Sequence, residues 1–537
     1  MELSYKGLQN RAAWEAAGVK LPAYNVAEVS NATRQAPIWV HFGSGNIFRG
    51  FIAQLQQHLL NTGLTDKGII AVDTFDYDII DKIYTAFDNL TLNVTLNADA
   101  TVDCEVMAAV AEALKADAHQ PKEMARLKQI FSEPGLQMIS FTITEKGYAL
   151  HRPDGSLIPA AASDMEKGPD GCTHAMGIVA SLLYHRYKTC GAPLAVISMD
   201  NCSHNGEKLL SSIREIVNAW LENGLVERGF VTYLTESGKV SFPWSMIDKI
   251  TPRPSEAVQK RLEEMGICGM APIVTSKHTY IAPFVNAEKP QYLVIEDNFP
   301  NGRPPLENAG VYFGSRDVVN KSEAMKVTTC LNPLHTAMSV YGCMLGYHLI
   351  CDEMQDPDIV ALIKTLGYTE GLPVVEAPGI LSPKAFIDEV VQQRLPNPFL
   401  PDTPQRIATD TSQKIPIRFG ETMKKYYSAG KDLRALTAIP LALAGWLRYL
   451  LAVDDDLKPM ELSPDPLLEE LRAALTGIRV GDCDSCGDKL RPILSNPAIF
   501  GLDLVEAGLA EKVEDLFRQE LAGPGAVRRT LHTQLFG

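Results

Sequence analysis

Cysteine is sparse and scattered, with 10 in 537 residues and no ladder of pairs that would staple a small secreted fold. One close pair exists, Cys483 and Cys486 in GDCDSCGD. A structural zinc site needs four ligands, and no second Cys or His pair stands nearby at a suitable spacing. No metal is expected, and a solvated acidic loop is the plainer reading. Long apolar runs are missing too. The most apolar window, residues 436–453, is broken by Pro440 and Arg448 and reads as a buried helix rather than a membrane span. The opening MELSYKGLQNRAAWEAAG has no apolar signal region, so a cytoplasmic protein is expected. Positive charge is in deficit: 50 Lys and Arg stand against 65 Asp and Glu, a net charge of −15. Such a surface repels phosphate backbones and anionic lipid, which argues against nucleic-acid or membrane partners. Repeats and low-complexity tracts are absent.

What remains is an ordinary globular balance, 46% hydrophobic and 21% charged. A chain of this length exceeds one ordinary core, so two domains are expected. After a mixed N-terminal arm (residues 1–36), APIWVHFGSGNIFRGFIAQLQQHLL joins an apolar run, a glycine-rich turn and a helix-period segment. A second apolar run, GIIAVDTFD, follows at 68–76. This is the order of a nucleotide-binding β-turn-α-β unit. Further strand-like runs lie at 136–144 and 193–201, with a helical stretch at 174–188 before the latter. From residue 322 onward helical periods dominate and strand signals nearly vanish. The fold class expected is α/β: a Rossmann-type doubly wound domain over 37–315, then an all-helical domain over 316–537.

Five motifs could carry chemistry. In Gly43-Ser44-Gly45-Asn46-Ile47-Phe48-Arg49-Gly50, glycines at a strand-to-helix turn let the backbone approach a pyrophosphate, and the helix N-terminus adds amides and positive dipole. The pattern departs from GxGxxG, because Phe48 takes the third position and glycine returns at 50. Asp73, at the end of the second run, could accept from a ribose 2′-OH and repel a 2′-phosphate, favouring NAD over NADP. A turn role is the alternative, with Asp76 as a competitor. In Lys326-Val-Thr-Thr-Cys-Leu-Asn332-Pro333-Leu-His335, a buried lysine can work as an acid/base and an asparagine amide can donate to a developing alkoxide. Asn332 as a helix cap with Pro333 at the first turn is the structural reading. A polar cluster from Ser198 to Gly206, including Asn201, directly follows an apolar strand, where doubly wound folds place ligands. Arg406 and Lys414 stand eight residues apart before Ile415-Pro416; a solvated loop is the default there.

Taken in order, these pieces resemble the polyol-specific long-chain dehydrogenase/reductase family, the mannitol dehydrogenases. The resemblance runs through GSGNIFRG, FTITEKGY (141–148), SMDNCSHNG (198–206), FPWSMIDKITP (242–252), VIEDNFPNGRP (294–304), KVTTCLNPLHTAMSVYG (326–342) and RIATDTSQKIP (406–416). It implies a Rossmann domain plus a helical domain, and metal-independent oxidation of a secondary alcohol by NAD or the reverse reduction. It implies Lys326 as general acid/base, with Asn201 and Asn332 donating to the carbonyl oxygen. His335, Asp248, Arg406 and Lys414 would hold substrate hydroxyls or a terminal carboxylate. The look is closest to members that reduce fructuronate, and Lys277 and His278, expected at the site edge, point the same way. Mannitol or tagaturonate as substrate stays open, as does a non-catalytic NAD-binding sensor; a monomer or small homo-oligomer is expected. One departure has a structural consequence. Five residues separate Lys326 from Asn332 where the family has four, and nine steps of ~100° would put Lys326 and His335 on opposite helix faces. The extra residue requires a π-bulge, or a helix that begins only at Pro333.

Overall fold

Short apolar strands that bury side chains on both faces build the central sheet, and the computed structural model describes all of Met1–Gly537. The strands are β1 (Trp39–Phe42), β2 (Ile69–Asp73), β3 (Val110–Lys115), β4 (Met138–Phe141), β5 (Leu194–Ser198) and β6 (Val240–Ser241). They lie in the order β3-β2-β1-β4-β5-β6, and every pairing is parallel. This is the doubly wound order whose direction of winding reverses between β1 and β4. The strand period sorts each run onto two cores. Val40, Phe42, Ile70, Val72, Ile139 and Phe141 pack with Leu127, Ile178 and Ile213 from one layer of helices. Trp39, Ile69, Ala71, Met138 and Ile197 pack with Phe48, Phe51 and Leu55 from the other side.

Strands β3 and β6 have no counterpart in the sequence reading. VAEALK is rich in good helix formers, and β6 is two residues long, so neither has a strand signal of its own. Neighbouring strands decide both. A second sheet joins Val19–Lys20, Val102–Met107, Thr91–Leu96 and Phe284–Glu288.

The chain folds as two units, Met1–Asn97 with Thr101–Asn320, and Lys321–Gly537 with Ala98–Ala100. Residues 1–36, expected as an arm, are built into the first unit: Val19 and Lys20 pair in parallel with Cys104 and Glu105, and Trp14 is fully buried. The break falls at 320/321 rather than 315/316. Arg316 still belongs to the first unit, pairing with Glu296 (3.1 Å) and stacking on the Trp244 ring at 4.7 Å.

The second unit contains helices and no strand beyond isolated bridges. Its centre is the helix Ala438–Tyr449, buried along its whole length. The Glu370 carboxylate receives the backbone amides of Ala438 (2.7 Å) and Ile439 (2.9 Å), an anion at the helix N-terminus as the macrodipole favours. Arg448, the charge inside the apolar window, is wholly buried and donates to the carbonyls of Val453 (2.7 Å) and Asp454 (3.2 Å). No helix is long and apolar enough to cross a membrane. Cys483 and Cys486 lie in one 3₁₀ turn, the Cys483 thiol donating to the Arg518 carbonyl at 3.3 Å.

Candidate active site

In the first unit, the glycine-rich loop leaves β1 and enters a helix at Asn46, whose π-helical turn Phe48–Ile52 runs on into α1 (Ala53–Asn61). Gly43 has φ +99°, and a Cβ there would lie 2.1 Å from the Thr142 carbonyl oxygen. Gly45 is different: a Cβ there would meet nothing within 4 Å. The space is open on the side where the first-turn amides have no partner within the helix. Beside it the Asn46 Oδ1 is buried without a hydrogen-bond partner. Such a loop fits the pyrophosphate of a dinucleotide.

Asp73 closes the loop from the end of β2. Its Oδ2 accepts from the Ser44 hydroxyl (2.6 Å) and amide (3.3 Å), and its Oδ1 from the amides of Phe75 and Asp76 (both 2.8 Å). The turn role is thus realised. Asp76 instead accepts from the Thr275 hydroxyl (2.6 Å) and anchors the hairpin formed by Ile273–Val274 and Tyr280–Ile281.

Two residues of the loop motif do not face it. Phe48 is fully buried and stacks on His41 at 4.2 Å. Arg49 is 1% exposed, with its guanidinium donating to the Ala282 carbonyl (2.7 Å) and the Thr91 hydroxyl (3.3 Å), and burial pulls it down to about 10. The side chains of Phe48 and Arg49 are thus taken up by the core, which leaves the loop its backbone for a ligand. The helix packs against the central sheet on one side and the second sheet on the other, so it is buried all round. The Lys277 ammonium sits 5.1 Å from the Phe75 ring centre, two residues past Asp73.

A cleft of about 230 Å³ opens where β1, β4 and β5 end, the point at which the winding reverses. Ile47, Thr144, Met199, Asp200, Asn201 and Lys249 line it, so Asn201 is where the sequence placed it. Asp200 accepts from the amides of Ile143 and Thr144 (both 2.9 Å) and from the Tyr148 hydroxyl (2.6 Å). It joins the loop after β4 to the loop that carries Asn201. Asn205 is structural: its amide donates to the Ser245 carbonyl (3.0 Å) and its Oδ1 receives the Ser245 amide (3.0 Å). That holds the strand Ser245–Asp248, which ends on buried Asp248. Lys249 was not singled out from the sequence, since a lysine after a strand is ordinarily a solvated one.

The helix α2 (Arg316–Met325), of which residues 321–325 belong to the second unit, gives way to a π-helical turn over Lys326–Cys330, then a break at Leu331 (φ −129°), then α3 (Asn332–Met344). The Leu331 amide reaches back five residues to the Lys326 carbonyl at 3.1 Å. The π-turn takes up the extra residue. With the break at Leu331 it interrupts the regular ~100° step, so Lys326 and His335 are not held on opposite faces of one continuous helix. Lys326 is 4% exposed. Leu331, not Asn332, is the N-cap of α3, so the Asn332 side chain is released from capping.

Around His335 cations gather. Burial first, then the charges of Arg418, Arg406, Arg394 and Lys414, pull the imidazole down to about 3, so it is neutral at physiological pH. Its Nε2 has no hydrogen-bond partner and lies 3.9 Å from an Asp402 oxygen. Arg406, largely exposed, pairs with Asp402. Lys414 donates to the carbonyls of Ile407 (3.0 Å) and Thr409. Arg394, Asp402 and Arg418 were not named from the sequence. The spacing held a clue for two of them, because Asp402 and Arg418 stand one helical turn from Arg406 and Lys414.

A sequence profile of the mannitol dehydrogenase Rossmann domain matches residues 37–308, and one of the mannitol dehydrogenase C-terminal domain matches 318–519. The chain belongs to the mannitol dehydrogenase family. Within that family, the D-mannonate oxidoreductase of Thermotoga maritima is 52% identical over 534 residues, 99% of this chain and 98% of that one. Among solved structures, a substrate-free D-sorbitol dehydrogenase shares the mannitol dehydrogenase fold with TM-score 0.77 at 24% identity, covering 95% of this chain and 98% of that one. The Pseudomonas fluorescens mannitol 2-dehydrogenase, solved with NAD and D-mannitol, gives TM-score 0.65 at 24% identity over 100% and 99% of the two chains. As a member of the mannitol dehydrogenase family, the chain is an oxidoreductase with a Rossmann domain and a helical C-terminal domain.

Proposed function

We propose that this chain interconverts a keto-hexuronic acid and the corresponding hexonic acid: D-fructuronate and NADH to D-mannonate and NAD. The observation that carries the reading is the 52% identity, over 99% of the chain, to a D-mannonate oxidoreductase. NAD, when bound, supplies or takes up the hydride. Gly43, Ser44, Gly45, Asn46 and Ile47 hold its pyrophosphate by backbone approach, and Asp73 favours a free ribose hydroxyl over a 2′-phosphate. In reduction the ketone carbon gains hydride and its oxygen gains a proton from Lys326. The amides of Asn201 and Asn332 donate to that oxygen as charge develops on it. Neutral His335 can donate to or accept from a substrate hydroxyl, and Asp248 accepts from one. Arg406 and Lys414 supply positive charge for the carboxylate. The enzyme works in the cytoplasm, as a monomer or small homo-oligomer.

The test is NADH oxidation with fructuronate, tagaturonate and fructose side by side, and NAD reduction with mannonate and mannitol. Fructuronate and mannonate are expected to give the highest kcat/KM. A preference for fructose and mannitol, or for tagaturonate, moves the substrate assignment. Cofactor binding without turnover of any of the five leaves a sensor.

A pH dependence follows from Lys414. Burial, with Arg418 and Arg406 nearby, pulls its ammonium down to about 8, while Asp410 and Asp465 act the other way. The charged form is present below that value and lost above it, so kcat/KM for the acidic substrate falls as pH rises through about 8. Lys414→Arg, which stays protonated, is expected to move that descending limb to higher pH. An unmoved limb assigns the titration to another group.

A further inference from the structure

Among the cations around His335, Arg418 has an unusual set of partners. It is the last residue of α4 (Thr411–Arg418), and its guanidinium turns onto the first turns of α3. There it donates to the Thr336 hydroxyl and, at 3.4 Å, to the Asn332 carbonyl. Both acceptors are neutral. Arg406 has Asp402, and Lys414 has two backbone carbonyls with Asp410 and Asp465 nearby. No acidic group supports Arg418, and burial alone accounts for its being drawn down to about 10.

The placement is electrostatically adverse as it stands. A mostly buried guanidinium lacks the carboxylate that ordinarily offsets its desolvation. It also lies at the N-terminal end of a thirteen-residue helix, where the macrodipole is positive and a second positive charge is repelled. Both penalties change sign when an anion arrives. The planar fork has five donors and only two are engaged, so a pair remains for a bidentate carboxylate. The site lies beside Asn332 and the unpartnered Nε2 of His335, the two groups of this unit assigned to the reacting end and the hydroxyls of the substrate. A sugar acid has one carboxylate at the end of a short polyhydroxy chain, which is the anion this arrangement would take.

We propose that Arg418 binds the terminal carboxylate of the substrate and so selects a sugar acid over a neutral ketose or polyol. The proposal rests on the hexonic-acid reading above and adds the residue that makes the choice.

The experiment compares kcat/KM for fructuronate and for fructose, which lacks the carboxylate, in the wild type, Arg418→Gln and Thr336→Val. Gln keeps a donor for the Thr336 hydroxyl and removes the charge and the fork. The fructuronate-to-fructose ratio is expected to fall on the order of 100-fold in Arg418→Gln, mostly through KM. Thr336→Val, which removes the structural partner and leaves the charge, is expected to keep the wild-type ratio. Thermal unfolding of each variant without substrate checks that it is folded. If Arg418→Gln lowers both substrates in parallel, or leaves the ratio unchanged, Arg418 is structural and the proposal is overturned while the hexonic-acid reading stands. If the wild type itself prefers fructose, both are overturned together. Should Arg418→Gln not fold, Arg418→Lys keeps the charge without the fork, and an unchanged ratio there overturns the bidentate contact.

Discussion

Replacing Lys326 by alanine is expected to lower turnover about 1000-fold in both directions while leaving NADH binding intact. The expectation comes from position. Lys326 opens the π-helical turn that leads to α3, three residues of which (Asn332, His335 and Thr336) border the cation cluster, and it is buried away from bulk water. Alanine also removes a long buried side chain, so Lys326→Met is the companion variant: it fills nearly the same space without an amine. Lys326→Arg keeps a positive charge and cannot release its proton near neutral pH. All three are expected to be inactive if the lysine moves a proton. Retention of activity in the Arg variant would reduce Lys326 to a charge. Retention in Met would place the acid/base on another residue. Single-turnover hydride transfer, followed by NADH absorbance, separates these outcomes from any change in product release.

The second large effect divides two glycines of one loop. Gly43→Ala is expected to destabilise the first unit by about 3 kcal/mol or more, because its left-handed φ disfavours any Cβ and that Cβ would strike a backbone oxygen that cannot move aside alone. Gly45→Ala has no such conflict, since its Cβ would point into open space. Its unfolding midpoint should stay near that of the wild type, yet NADH affinity should fall about tenfold, because the space is the one a pyrophosphate needs. Denaturant unfolding and NADH fluorescence titration of both variants read the two effects separately. A Gly45 variant that binds NADH as tightly as the wild type would move the cofactor off this loop.

Much of this was legible in order and spacing. The β-turn-α-β unit declared itself through two apolar runs flanking glycines, because strand period and positive φ leave local marks. The helical character beyond residue 322 was equally plain from its period. One extra residue between Lys326 and Asn332 demanded a local irregularity, and a π-helical turn is what supplies it. Other features had no local mark. Strand β3 reads as helix in isolation and becomes a strand because β2 offers it an unpaired edge. Arg49 looked like part of the phosphate loop and is instead a core residue, since two sheets close over its helix.

Resemblance in ordered motifs pointed to the family and to the roles proposed for Asn201, Lys326, Asn332 and His335; the sequence by itself determined the doubly wound fold followed by helices and the glycine-rich strand-to-helix turn. These follow from short-range constraints: periodicity, glycine conformations and residue types at fixed spacing. Only the tertiary structure decided which of the singled-out side chains are buried and which neighbours they meet. It sent Phe48 and Arg49 into the core, put Lys277 beside Phe75, and gathered Arg394, Asp402 and Arg418 around His335 from segments more than fifty residues away in the chain. Burial and electrostatic neighbourhood arise from long-range packing, and no window of sequence contains them.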